Sequence, residues 1–95
     1  MNSLQNEIYK YLKERDWLPN KTKRTVSAYA KSISIEAAEL LQEFQWDESK
    51  YDREAVLDEL GDVLIYCIDM SIALNMNVED IVRRKLEKVK LKYPK

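Results

Sequence analysis

Apolar residues recur at three- and four-residue intervals along most of the chain, a spacing that predicts helices. From Leu4 to about Arg15, the residues Leu4, Ile8, Tyr11 and Leu12 share one face, and Trp17-Leu18-Pro19-Asn20 breaks this first helix. Asn20 or Thr22 is placed to cap a second helix that runs to about Phe44, with Val26, Tyr29, Ile33, Ala37, Leu40 and Phe44 as its apolar stripe. The stretch from Gln45 to Asp52 is polar and irregular, and Asp52 suits the cap of a third helix. That helix carries Val56, Leu60, Val63, Cys67, Met70 and Leu74 on one side, with Leu57, Leu64, Ile68 and Ser71 on another. It is apolar over most of its circumference, which predicts burial at the centre of an assembly. Asn75-Met76-Asn77 forms a turn, Asn77 caps a fourth helix with Glu79 and Asp80 in its first turn, and Pro94 ends it.

One glycine and two prolines leave few places for tight turns. The expectation is an all-α chain, a four-helix bundle-like protomer whose long central helices lie antiparallel because their connection is short. Ninety-five residues make one domain, 1–95, near the low end of what buries a self-sufficient core, so assembly into a homo-oligomer is expected to supply part of the stability.

Two acidic pairs interrupt the apolar pattern. Glu36 and Glu39 lie within Ile35-Glu36-Ala37-Ala38-Glu39-Leu40, and Glu59 and Asp62 within Glu59-Leu60-Gly61-Asp62-Val63-Leu64. At a spacing of three, both carboxylates of a pair point the same way from a helix. Like charges so placed repel, and apolar neighbours make each charge costly to desolvate. None of the four has Lys or Arg three or four residues away, as a surface ion pair would. A hard divalent cation resolves both problems, so these four acids are candidate ligands for Mg²⁺. If the second and third helices pack antiparallel, the four carboxylates converge. Glu43 and Asp69 fall one and two turns further along and would extend the cluster.

Charge and composition narrow the function. With 16 basic and 17 acidic residues there is no basic field to attract a nucleic acid polymer. The absence of histidine removes histidine-based metal sites and general bases. A lone cysteine, Cys67, excludes an internal disulfide and fits a reducing, cytoplasmic setting; on the apolar stripe it reads as a small core residue. The N-terminus lacks the basic and apolar regions of a signal peptide, and no apolar run is long enough to span a bilayer.

The doubled acidic motif, with Arg15-Asp16-Trp17, Phe44-Gln45-Trp46, Asp62-Val63-Leu64-Ile65-Tyr66 and Lys92-Tyr93-Pro94, resembles the all-α nucleoside triphosphate pyrophosphohydrolases. This is the superfamily of MazG and the dCTP pyrophosphatases, and the dCTP-pyrophosphatase-like branch is the more similar. The resemblance covers nearly the whole chain, although Val89 stands where members often carry an asparagine. It implies Mg²⁺-dependent hydrolysis of a nucleoside triphosphate to monophosphate and pyrophosphate, a nucleotide-pool house-cleaning activity, with Mn²⁺ as a substitute metal. Glu36, Glu39, Glu59 and Asp62 would hold the metal, with Glu39 the candidate to orient the attacking water. Trp46 and Tyr66, joined by Trp17, would line the base and sugar pocket. Lys85 and Lys88, on one face of the fourth helix, are candidates for the outer phosphates. A homodimer or dimer of dimers is the expected assembly.

Two other classes compete. In a non-enzymatic helical dimerisation module the acids would be only a polar seam, and Mg²⁺ would not stabilise the protein. A related all-α diphosphatase would act on dUTP or a phosphoribosyl nucleotide. Gly61 costs roughly 1 kcal/mol relative to alanine inside a helix, and either close helix packing or close approach of metal or phosphate accounts for it.

Overall fold

The computed structural model describes residues 3–19 and 24–95. Four helices follow one another: α1 (Ser3–Glu14), α2 (Val26–Gln42), α3 (Arg53–Ala73) and α4 (Val78–Lys92), with no strand among the described residues. Their ends follow from local chemistry. Asp52 caps α3 as expected, its carboxylate accepting from the N–H groups of Glu54 and Ala55 at 3.0 and 3.3 Å. At α2 the cap is Thr25, whose hydroxyl accepts from the Ala28 N–H at 3.1 Å; the expected caps Asn20 and Thr22 lie outside the described residues. The helix closes at Gln42 rather than Phe44 because its last bonds tighten to a three-residue span, with Phe44 N–H donating to the Leu41 carbonyl and Gln45 N–H to that of Gln42.

The cap of α4 differs from the expectation. Asn77 occupies the cap position, but its side chain makes no capping bond to the helix backbone. Gln5, fully buried on α1, does that work across the fold: its Oε1 accepts from the Val78 N–H at 2.6 Å, and its Nε2 donates to the Met76 carbonyl at 3.3 Å. Two turns use left-handed backbone. Asp16 (φ 59°) ends α1 and Asn75 (φ 56°) ends α3, both residue types whose short polar side chains tolerate that region.

The helix α3 is the spine, and α1, α2 and α4 each pack against it. Electrostatic neighbours fix the α2–α3 direction. Tyr29 lies by Asp69 and Tyr66, Glu36 by Asp62 and Glu59, and Glu43 by Glu59, so numbers fall along α3 as they rise along α2. The two helices are antiparallel. The core is small and off-centre: Leu12, Ile68 and Ile72, with Ile8, Tyr9, Leu18 and Val78 packed around them. Only the C-terminal part of α3 is buried within one chain; Leu57, Leu60, Leu64 and Ile65 are exposed. Among the described residues, no helix is long and apolar enough to cross a membrane.

Candidate metal centre and adjoining cavity

The antiparallel register brings the two acidic pairs face to face. One carboxylate oxygen from each of Glu36, Glu59 and Asp62 lies within 4.8 Å of the others. Two of these groups are left in an unfavourable state by the protein alone: Glu36 Oε2 and Glu59 Oε2 are buried without a hydrogen-bond partner among the described residues. The Glu36 carboxyl is raised above its ordinary range, first by its contact with Glu39, then by desolvation and by the charges of Glu39, Asp62 and Glu59. Glu59 is raised by desolvation and then by the charges of Glu39, Asp62 and Glu43. Glu39 therefore borders the trio without belonging to the set of converging oxygens, and Glu43 acts on it from one turn further. The donor set is all hard oxygen and carries excess negative charge, which fits a divalent cation such as Mg²⁺.

Asp62 also lines a cavity of about 650 Å³ between α1 and α3. Its wall opposite α3 is α1, through Leu4, Glu7, Ile8, Tyr11 and Leu12, continued by the turn after it. The left-handed Asp16 folds the chain back, and Trp17 N–H bonds to the Leu12 carbonyl at 2.8 Å. The indole then meets Tyr11 edge-on, with ring centres 6.4 Å apart. The Arg24 guanidinium lies 4.6 Å from the centre of the Trp17 ring, a cation–π contact that ties the entry of α2 to the cavity wall. On the α3 side stand Gly61, Tyr66 and, at the end remote from the acids, Asp69. Asp69 is only 3% exposed, and burial pushes its carboxyl up to about 6 against the opposing pull of Arg24. Tyr29, buried on α2, has its phenol raised by desolvation, again with Arg24 pulling the other way.

The residues singled out by sequence are divided by the structure. Glu36, Glu59 and Asp62 converge, Glu39 flanks them, and Trp17 and Tyr66 line the cavity that Asp62 shares. Trp46 does not join them; it is 90% exposed. The reason is local. Phe44 and Tyr51 pack with ring centres 5.0 Å apart and close the loop between α2 and α3, while Asp47 accepts from the backbone and hydroxyl of Ser49 at 2.9 and 2.8 Å. Trp46 sits at the tip of that loop and points outward from its own chain. Lys85 and Lys88 are exposed on α4 and do not line the cavity. Asp69 does not extend the metal cluster; two turns beyond Asp62 it has left the acids and faces Arg24. Sequence reasoning overlooked Arg24 and Tyr11 as wall residues. For Asp69 a signal was present, a lone acid inside Tyr66-Cys67-Ile68-Asp69-Met70.

A comparison with curated proteins gives no match. The crystal structure of a pyrophosphatase from Archaeoglobus fulgidus superposes with a TM-score of 0.78 at 35% sequence identity, over 97% of this chain and 90% of that one. The model of the MazG-like family matches residues 31–95, which takes in both acidic pairs, the whole of α3 and α2 from Lys31 onward. The chain belongs to the MazG-like family.

Proposed function

We propose that the protein is a Mg²⁺-dependent nucleoside triphosphate pyrophosphohydrolase, cleaving between the α- and β-phosphates to give a monophosphate and pyrophosphate. The observation that carries this reading is the double position of Asp62, one of three converging carboxylates and at the same time part of the wall of an aromatic cavity. Such a site suits a ligand with an anionic end that travels with a hard cation and a flat apolar end. A nucleoside triphosphate has both. The similarity to a pyrophosphatase supports the class of bond broken.

Glu36, Glu59 and Asp62 would hold the cation. Once bound, it neutralises phosphate oxygens and makes a neighbouring water more acidic. Glu39, beside the trio and not among its converging oxygens, orients a water toward the α-phosphorus and accepts its proton. The water oxygen bonds to the α-phosphorus as the bridging P–O bond breaks, and the bridging oxygen leaves with pyrophosphate. Trp17 and Tyr66 offer ring faces to the base. Trp46, Lys85 and Lys88 enter this scheme only from a second copy of the chain.

A screen of nucleoside triphosphates with Mg²⁺ should release pyrophosphate and monophosphate, never diphosphate with orthophosphate. In ¹⁸O-labelled water the label should appear on the monophosphate. Label confined to pyrophosphate would place attack at the β-phosphorus and refute the scheme.

A further inference from the structure

Asp69 has a feature that folding alone does not account for. It is 3% exposed among apolar neighbours on α3, yet Oδ1 has no hydrogen-bond partner among the described residues. Leaving a buried acceptor unpaired is costly, and more so if it is charged. The nearby Arg24 offsets part of that cost through its charge but leaves Oδ1 unbonded. An aspartate serving only to anchor the segment before α2 would have no reason to keep an oxygen unsatisfied at a cavity wall.

Its position on that wall is informative. Asp62, Tyr66 and Asp69 stand at intervals of four and three, so they follow one face of α3, and all three line the cavity. From Asp62 to Asp69 the helix rises by ~10.5 Å. That is about the reach from the innermost phosphate of a nucleotide to the far edge of its base. With phosphate at Asp62 and the base between Trp17 and Tyr66, the edge of the base remote from the sugar arrives at Asp69.

We propose that Asp69 is a specificity-determining residue, its Oδ1 accepting a hydrogen bond from the exocyclic amino group of the base. The inference rests on the nucleotide reading given above and names the substrate class: amino-bearing bases such as cytosine and adenine. An oxo group at the same place sets two acceptors against each other in a desolvated pocket. Sites built around a buried hydrogen bond reject the mismatched partner strongly, because the protein group is then left unpaired.

The test uses matched pairs that differ only in amino against oxo, dCTP with dUTP and ATP with ITP. The unaltered protein should favour the amino member of each pair in kcat/KM by roughly 10²-fold or more. Asp69→Asn keeps the shape and offers either an oxygen or an N–H, so it should bring both ratios to within about tenfold, a change no purely structural role would produce. Equal rates within the pairs in the unaltered protein, or ratios that survive Asp69→Asn, would overturn the proposal. If the variant does not fold, the pairs in the unaltered protein decide. If no triphosphate is cleaved at all, the enzymatic reading fails separately. Calorimetric binding of dCMP against dUMP then judges the base reading, which equal affinities would overturn.

Discussion

Glu36 and Glu59 each keep a buried oxygen without a hydrogen-bond partner among the described residues while standing among other acids, so the metal-free protein carries a local penalty at this seam. Neutralising one acid should relieve it. Asp62→Asn or Glu39→Gln should abolish Mg²⁺-dependent turnover while the metal-free protein stays helical and melts at the same or a higher temperature. The rise in melting temperature that millimolar Mg²⁺ gives the unaltered protein should shrink or vanish. Full activity in both variants would end the metal assignment, and a helical scaffold with no use for Mg²⁺ would show no metal-induced rise in the first place. Asp69 makes a second, separable prediction. Its folded carboxyl titrates at about 6 against an ordinary value of 3.8. A raised carboxylate favours the folded state while protonated, so its contribution is complete below about pH 4 and is lost as pH rises through 6. Over that window the unaltered protein should lose on the order of 2–3 kcal/mol relative to Asp69→Asn, read from paired denaturant melts between pH 4 and 7.5. Parallel melts of the two proteins would show that the group is not buried in solution.

At the scale of helices, the spacing rules carried most of the architecture, because caps and acidic pairs are local. Asp52 caps α3 through bonds to its own next turn, and the two acidic pairs need only a short antiparallel connection to meet. What escaped the sequence depends on tertiary register. Gln5 reaches a helix end more than seventy residues away, Arg24 meets Asp69 only once α2 lies against α3, and Trp46 is turned outward by a ring contact across its loop. Gly61 is a case where structure decides between two sequence readings. A Cβ built there meets nothing within 4 Å among the described residues, so their packing does not require glycine, and the space lies on the cavity wall beside Asp62. Gly61→Ala should therefore stabilise α3 by about 1 kcal/mol and raise the melting temperature by roughly 4–8 °C. It should also lower kcat/KM by filling room that the ligand uses. Higher stability with unchanged kinetics would remove Gly61 from the site.

The whole molecule is too open for its length. A compact chain of 95 residues has a radius of gyration of about 12.4 Å, whereas this one has 15.7 Å. Its accessible surface is 7646 Å², where a compact monomer of 11.3 kDa exposes about 5,700 Å². The excess of about 1,900 Å² per chain is in the range that each partner of an obligate dimer buries. Much of the uncovered surface is apolar and ordered along helices. Leu57, Leu60 and Leu64 form a stripe on α3 at intervals of three and four, with Leu64 53% and Ile65 49% exposed, and Val82 and Leu86 repeat the pattern on α4. We propose that a second copy of the chain covers these faces, as a homodimer or a dimer of dimers. Light scattering at micromolar concentration should give twice or four times the chain mass. Leu60→Lys, which sets a charge in the middle of the α3 stripe and outside the cavity lining, should lower that mass and the melting temperature together. Because the core within one chain is confined to one end of α3, the resulting monomer should be only partly folded. A monomeric, fully folded and cooperatively melting unaltered protein would contradict this assembly, since none of the described residues would then cover the stripe.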